Sequence, residues 1–335
     1  MKILVTGGAG FIGSHTIVEL IEHGYDPIIV DDLRNSEGFI VNHIGKISGR
    51  KVPHYNIDFG NIEKISSLFK EESPEGVIHF AADKSVNESV NNPIKYYENN
   101  ISNLINLLKV ISNHSIEAFV FSSSCTVYGS PEKIPVNESA QIKSAFSPYG
   151  YTKQVGERIL LDFFKTKPET SLSLLRYFNP IGAHPSGLIG ELPIGIPTNL
   201  IPYITQTAIG KRDSLTVHGN DYETIDGTCI RDYIHVVDLA NAHVLTLQDG
   251  IYNKETLILN VGTGKGHSVM EVINGFETVN NVNLKFNIGP RREGDVPAIY
   301  ADNHLITKKI NWKPRYDLDD CLKHAWKWEK RLAEK

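Results

Sequence analysis

A run of glycines set directly between an apolar stretch and a helical pattern is the feature that most restricts what this chain can fold into. Lys2-Ile-Leu-Val-Thr6 reads as a short buried strand, and Gly7-Gly-Ala-Gly-Phe-Ile-Gly13 follows without a break, leading into a helical pattern over 14–23. The glycines satisfy both G-x-G-x-x-G (Gly8, Gly10, Gly13) and G-x-x-G-x-x-G (Gly7, Gly10, Gly13). Such a turn lets backbone N–H groups at a helix N-terminus approach a pyrophosphate, where the helix dipole favours negative charge. A second strand, 27–30, ends at Asp31-Asp32, eighteen residues past Gly13, where a dinucleotide fold needs a carboxylate for the adenine ribose hydroxyls. An acid there also repels a 2′-phosphate, so NAD is expected rather than NADP.

The alternation continues with strand 51–57 ending in Asp58, helix 62–70, strand 76–80 and then Ala81-Ala82-Asp83-Lys84. Helix 94–113 and strand 118–121 lead to Ser122-Ser123-Ser124, and helix 149–165 and strand 171–177 complete the series. Strands and helices at this spacing imply an α/β fold with a doubly wound, parallel, Rossmann-type sheet, its ligands gathered along the carboxyl ends of the strands. The glycine turn, Asp31, Asp58, Ala81 and the three serines all follow expected strands directly, which puts them on one rim.

Ser147-Pro-Tyr149-Gly-Tyr-Thr-Lys153 carries the chemistry. Proline suits the first turn of a helix, and Tyr149 and Lys153, four apart, project from one face. A free phenol titrates near ~10 and a fixed cation beside it lowers that value, so Lys153 is expected to bring Tyr149 towards use as a base.

Beyond 177 the pattern turns to loops rich in Gly and Pro over 179–187 and 190–202, the passage into a second domain. An apolar helix is expected to start at 231–238 and run to about 247, followed by strand 257–261, helix 269–279, a polar turn over 289–295 and a Trp-bearing last helix over 318–332. The expected organisation is a dinucleotide-binding domain over 1–178, joined by elements within 234–262, and a smaller mixed α/β substrate domain over 179–335.

Composition bounds the function classes. With 335 residues, 41% hydrophobic, and a formal net charge of -5, nothing invites nucleic acid. No apolar run approaches a membrane span, and the start of the chain lacks the pattern of a signal peptide. Cys125, Cys229 and Cys321 lack C-x-x-C spacing, and the thirteen histidines include no H-x-x-x-H or H-E-x-x-H pair. A reducing cytoplasm and no metal are therefore expected.

Taken together the motifs resemble the extended short-chain dehydrogenase/reductase family along essentially the whole chain. They are Val-Thr-Gly-Gly-Ala-Gly-Phe-Ile-Gly-Ser-His at 5–15, Ser-Ser-Ser-Cys-Thr-Val-Tyr-Gly at 122–129 and Ser-Pro-Tyr-Gly-Tyr-Thr-Lys at 147–153. Three more, Leu-Arg-Tyr-Phe-Asn-Pro-Ile-Gly-Ala-His-Pro-Ser-Gly at 175–187, Arg-Asp-Tyr-Ile-His-Val at 231–236 and Pro-Arg-Arg-Glu-Gly-Asp at 290–295, are similar to the branch that epimerises UDP-hexoses at C4.

The resemblance implies an isomerase that holds NAD and interconverts UDP-galactose and UDP-glucose, in galactose metabolism, by transient C4 oxidation, rotation of the 4-keto sugar and re-reduction. Tyr149, Lys153 and Ser124 are its implied catalytic residues. Those implied around NAD are Gly7, Gly10, Phe11, Ile12, Gly13, Asp31, Asp32, Asn35, Asp58, Phe80, Ala81, Lys84, Asn99, Ser122, Tyr149, Lys153 and Tyr177. Around the UDP-sugar the implied set is Ser124, Tyr149, Asn179, Asn199, Leu200, Arg231, Tyr233, Arg292, Asp295 and Ile299, with the two arginines on the diphosphate. A homodimer through helices near 94–113 and 149–165 is implied as well.

Cys125 and Ala82 stand where the family often has alanine and glycine, and 99–104 lacks its frequent Asn-Gly-Thr. The telling departure is Ile299, where members restricted to UDP-galactose and UDP-glucose carry tyrosine. The smaller side chain makes a dual-specificity or UDP-N-acetylglucosamine 4-epimerase the alternative. Nucleotide-sugar dehydratases and UDP-glucuronate decarboxylases share the first oxidation, but 122–130 holds no carboxylate for an elimination. A non-catalytic NAD-binding regulator would keep the glycines and Asp31 without needing Tyr149, Lys153 and Ser124 together.

Overall fold

The computed structural model describes residues 1–292 and 294–334. The chain divides into two compact units: Met1–Gly129, Gln141–Tyr177 and Ala240–Leu259 form the first, and Ser130–Ala140, Phe178–Leu239 and Asn260–Lys335 the second.

Six strands of the first unit follow one another along the chain: β1 (Lys2–Thr6), β2 (Asp26–Val30), β3 (His54–Tyr55), β4 (Gly76–His79), β5 (Ala118–Ser122) and β6 (Ser171–Tyr177). With strand Leu257–Val261 they form a seven-stranded sheet, in spatial order β3, β2, β1, β4, β5, β6 and then 257–261. The pairs from β3 to β6 are parallel. The order reverses between β1 and β4, the switch point at which doubly wound folds open a crevice for a ligand. Helices cover both faces of such a sheet, which is why β4 and β5 are buried at every residue and read as unbroken apolar runs.

The helices of this unit are α1 (Phe11–Glu22), α2 (Phe39–Ser48), α3 (Ile62–Glu72), α4 (Val86–Asn91), α5 (Pro93–Tyr97), α6 (Asn103–Ile111) and α7 (Pro148–Phe164). Leu104, Leu107 and Ile111 of α6 and Leu160 and Phe164 of α7 pack with Phe119 and Phe121 of β5 in one core cluster. Their i, i+3, i+4 and i+7 spacing gives each helix one apolar face, whose burial contributes roughly 25 cal/mol per Å².

The strand read at 51–57 is reduced to His54–Tyr55, an edge strand that follows Pro53, a residue with no N–H to give to a ladder. The helix read at 94–113 is interrupted by a π turn at Glu98–Ser102, where the N–H of Asn103 returns to the carbonyl of Glu98. A π turn inserts one extra residue per turn and re-aims the side chains it carries.

In the second unit, Asn179–Ile181 pairs in parallel with Tyr233–His235, and Ile230–Arg231 lies between His267–Ser268 and Ala298–Ile299. Ile230–Arg231 and Tyr233–His235 are thus two short strands, and the helix expected from 231 starts at Val236 and runs to Asn253. A second parallel pair joins Leu215–His218 to Phe286–Gly289. Helix Leu200–Ala208 begins inside the loop expected over 190–202. Helices Val269–Asn280 and Leu318–Ala333 each open on a capping box, Ser268 with Glu271 and Asp317 with Asp320, and Phe276 meets Trp326 edge to face at 5.8 Å in their shared core. Among the described residues no helix is long and apolar enough to cross a membrane.

Candidate active site

The glycine turn sits between β1 and α1. Gly7 has φ +67°, and a Cβ on it would lie 2.9 Å from the backbone N of Ala81; a Cβ on Gly13 would lie 2.2 Å from the carbonyl of Gly7. No side chain larger than hydrogen fits either position. Helix α1 has Gly10 as its N-cap, makes no side-chain cap and carries no acid in its first turn. Its first N–H groups are therefore presented to an anion as a bare, positively polarised end.

Asp31, at the end of β2, accepts from the backbone N of Ala9 at 3.0 Å through Oδ2, and from the N of Leu33 and the hydroxyl of Ser36, both at 2.9 Å, through Oδ1. A carboxylate has about four lone-pair sites, so one remains for a ribose hydroxyl while Ala9 ties the acid to the glycine turn and Leu33 and Ser36 tie it to the loop after β2. Asp32, Asp58 and Asn99 converge on Arg34, which sequence reading passed over. Its guanidinium pairs with Asp32, reaches Asp58 at 2.9 Å and donates to Asn99 Oδ1 at 3.0 Å. Two carboxylates against one guanidinium leave the cluster acidic, as a site for NAD requires.

At the carboxyl end of β4, Phe80 packs on His243 with ring centroids 4.7 Å apart, and the N of Ala81 donates to Thr6 Oγ1 at 3.1 Å. Asn35 donates to Asp83 Oδ1 at 3.2 Å, while Asp83 Oδ2 is buried with no hydrogen-bond partner. Burial raises the pKa of Asp83, with Lys95 opposing. Asn100, delivered by the π turn, accepts from the N of Asp83 at 2.8 Å and donates to its carbonyl at 3.0 Å and to Thr152 Oγ1 at 3.1 Å. The glycine cradle, the bare helix end and the orphaned Asp83 oxygen together fit a dinucleotide.

Helix α7 starts where expected. The hydroxyl of Ser147 accepts from the N of Gly150 at 3.2 Å, and Pro148 fills the first position. Tyr149 is 7% exposed. Lys153 Nζ donates to the carbonyl of Ser122 at 2.7 Å and lies 4.9 Å from the centroid of the Phe121 ring and 5.9 Å from that of Tyr149. Ser122 Oγ donates to the Tyr177 hydroxyl at 3.0 Å. Ser124 caps the turn Cys125–Tyr128 and accepts from the N and hydroxyl of Thr126 at 3.2 and 3.0 Å.

The titration of this cluster differs from the expectation. Burial raises the Tyr149 phenol well above its ordinary value, Tyr177 adds to that, and the hydrogen bond from Ser124 opposes it. Burial lowers Lys153 to about 8, with Glu157 opposing. Desolvation penalises the charged form of each group and is the largest cause for both in the folded chain alone. Tyr177 is raised by burial, against its hydrogen bond with Ser122 and the charge of Lys84.

The second unit gathers the arginines. Arg231 donates to the carbonyls of Ile230 and Val296, both at 2.8 Å, and to Asp295 Oδ1 at 3.2 Å. Arg292 donates twice to Asp295, at 3.1 Å to each oxygen. Glu293 lies outside the described residues. Tyr233 is in register with Asn179, and Ile299, 6% exposed, with Arg231. Asn199 donates to Glu191 at 2.6 Å just before Leu200 opens its helix. Sequence reading missed Asp232, wholly buried between Arg231 and Tyr233. Its carboxylate accepts from the N of Thr263 at 2.8 Å, the hydroxyl of Thr263 at 2.7 Å, and the N of Gly264 and of Ala301, both at 3.1 Å. Among the described residues no group of three His, Cys, Asp or Glu side chains could hold a metal ion.

A parallel sheet in this order, with the glycine turn on β1 and tyrosine, lysine and serine at the ends of β5 and α7, is the arrangement of a short-chain dehydrogenase/reductase. The chain belongs to the extended branch of that family, the NAD-dependent epimerases and dehydratases; the family described as GDP-mannose 4,6 dehydratase matches residues 4–325. Within that branch it is similar to the UDP-glucose 4-epimerase of Dictyostelium discoideum, 46% identical over 329 residues that cover 98% of this chain and 95% of the relative. Among solved structures it resembles the UDP-glucose-4-epimerase of Stenotrophomonas maltophila with bound NAD and formylated UDP-arabinopyranose. That likeness has a TM-score of 0.97 and 46% identity, over 100% of this chain and 99% of the other. The UDP-glucose 4-epimerase of Bifidobacterium longum in complex with NAD+ and UDP follows at 0.96 and 43%, over 99% of each chain.

Proposed function

We propose that this protein is an NAD-dependent UDP-glucose 4-epimerase, the glycine cradle, Asp31 and the rim of β4 and β5 in the first unit holding the cofactor. Bound NAD supplies the acceptor and donor of the C4 hydride. Tyr149 moves the proton of the sugar O4, and Ser124 steadies the same oxygen. Lys153 ties the end of β5 and places its charge beside the phenol. Arg231 and Arg292 suit a diphosphate, for which a guanidinium fork is the matching donor, and Asn179, Asn199, Leu200, Tyr233 and Asp295 are assigned to the rest of UDP.

The single observation that carries this reading is the buried Tyr149, Ser124 and Lys153 constellation in a chain 46% identical to a UDP-glucose 4-epimerase. It is tested by offering UDP-galactose to the purified protein and identifying the product. Tyr149→Phe should lower kcat by about 10²- to 10⁴-fold, the ordinary worth of a general acid–base group, with NAD still retained. Unchanged turnover in that variant would remove the assignment. A non-catalytic regulator predicts no turnover in the unaltered protein.

A second reading, activity on UDP-N-acetylhexosamines, is favoured by Ile299, buried in register with Arg231. A homodimer in the cytoplasm completes the proposal. Ile94 on α5, Ile105 on α6 and Tyr151 on α7 are exposed apolar side chains in the first unit that a second copy would cover, and light scattering tests this.

A further inference from the structure

Beneath the serines at the end of β5 lies a buried ion pair that the reaction as described does not use. Glu157 stands one turn beyond Lys153 on α7, and Arg176 lies on β6; each is 3% exposed. Arg176 donates from Nε to Glu157 Oε1 at 2.9 Å and from Nη2 to Oε2 at 2.6 Å, a bidentate fork, and its third nitrogen donates to the Tyr128 hydroxyl at 3.2 Å. Ser123 Oγ donates to Glu157 Oε1 at 2.5 Å.

A buried ion pair is a poor source of stability, because desolvation of both charges offsets most of their attraction. What this pair does is connect. Through Ser123 it grips the middle of the three serines, whose neighbours are Ser122, the carbonyl of which receives Lys153, and Ser124, assigned to the sugar oxygen in the proposed reaction. Through its position four residues along α7, the carboxylate also faces the side of the helix that carries Lys153.

We propose that Glu157 is a positioning residue for the proposed reaction: clamped by Arg176, its carboxylate fixes the 122–124 turn through Ser123 and supplies the counter-charge to the buried Lys153 ammonium. This rests on the epimerase reading for its catalytic consequence, but not for its electrostatics. Burial lowers the pKa of Lys153 and Glu157 raises it, so removal of the carboxylate should let the lysine lose its proton at lower pH. The other titratable or charged groups around the cluster are Tyr149, Tyr177, Lys84, Cys125, Tyr96 and His79. Burial first, then the charge of Lys153, holds His79 near 3, so it stays neutral through the working range.

The test uses the protein as purified, with retained NAD. Lys153 is followed by carbon NMR on lysine labelled at Cε, and kcat and KM for UDP-galactose are measured across the same pH range. In Glu157→Gln the titration midpoint of Lys153 should fall by about one pH unit, the scale of an opposite charge lost from the next turn of the helix with an unpaired guanidinium left behind it. The alkaline limb of kcat should move with it and KM should stay within about twofold. Ser123→Ala, which keeps the ion pair, should lower kcat about three- to tenfold with the midpoint unmoved. If Glu157→Gln fails to fold because Arg176 is left alone, Glu157→Gln with Arg176→Gln removes both charges, and the midpoint should then fall in the same direction by less, because the field of the arginine goes with that of the carboxylate. A midpoint and an alkaline limb unchanged in either charge variant would overturn the inference, as would unchanged kcat in Ser123→Ala. Absence of epimerase activity in the unaltered protein would instead overturn the epimerase reading, leaving the NMR result to decide the counter-charge by itself.

Discussion

Lys153 and Tyr149 share one face of α7, yet the lysine's hydrogen bond goes to the carbonyl of Ser122 at 2.7 Å, and its Nζ stands 5.9 Å from the centre of the tyrosine ring. The ammonium therefore spends its hydrogen bond on the strand end that carries the serines and not on the phenol. Both groups are buried, and each resists its charged form. A working site made from two desolvated groups is strained in free energy before any ligand arrives.

The first prediction tests that strain. Lys153, with its folded pKa near 8 against 10.5 in the unfolded chain, opposes folding most at pH below 8, and the penalty fades as pH rises from 8 towards 10.5 because the unfolded chain then binds more protons. The shift corresponds to roughly 3 kcal/mol at about 1.36 kcal/mol per unit. Lys153→Met should therefore unfold at a higher denaturant concentration than the unaltered protein at pH 7, with the gap narrowing by pH 10, while turnover is lost. Equal midpoints at pH 7 would show that the lysine's contacts with Ser122 and Phe121 offset its desolvation in full.

The second concerns Asn100, which holds the N–H and carbonyl of Asp83 on one side and Thr152 on the other. Thr152 in turn donates to the carbonyl of Tyr149 at 2.7 Å. Asn100→Ala leaves both buried backbone groups of Asp83 unpaired, at a cost of about 2–4 kcal/mol for two unmade bonds. NAD retention should fall together with stability, measured by cofactor released on gel filtration and by denaturant unfolding. Retention equal to that of the unaltered protein would mean that the loop after β4 does not need this support.

What the sequence made legible and what it hid divide along one physical line. Strands β1, β2, β4 and β5 are buried on both faces and announce themselves as short, mostly apolar runs, and Ser147 and Pro148 mark the start of α7 by chemistry local to that turn. The π turn at Glu98–Ser102 is hidden because Asn100 is held by residues 17 and 52 positions away. Tyr149 and Lys153 could be paired from their spacing alone. The upward shift of the phenol could not, since burial is a property of the whole fold. Arg34, Asp232 and the Glu157–Arg176 pair were invisible for the same reason: a charged residue reads as solvated surface until its partners are known.

The third prediction is drawn from Asp232. Its carboxylate collects four donors from Thr263, Gly264 and Ala301, and so ties the strand of Arg231 to the segment that follows Ile299. Asp232→Ala removes the acceptor from three backbone N–H groups and should destabilise the chain by about 3 kcal/mol or more. Asp232→Asn, which keeps one oxygen, should recover part of that. Weakened UDP binding by calorimetry, with NAD retention unaltered, is the expected signature; equal loss of both ligands would point to general unfolding instead.

The last prediction turns on size at residue 299. Ile299 is buried beside Arg231 in the parallel pair of Ala298–Ile299 with Ile230–Arg231, and an isoleucine fills far less space than a tyrosine in the same place. An N-acetyl group on C2 needs room of that order, and a site discriminates against a few extra atoms by roughly 10- to 200-fold. Ile299→Tyr should thus lower kcat/KM for UDP-N-acetylglucosamine by at least about tenfold while leaving that for UDP-galactose within about threefold. Both substrates should be measured on one preparation, because a loss shared equally between them would mean that the tyrosine disturbs Arg231 and not the room beside the sugar. If the unaltered protein converts no N-acetylated substrate at concentrations that convert UDP-galactose, the space beside Ile299 is filled by other side chains and the wider specificity is excluded.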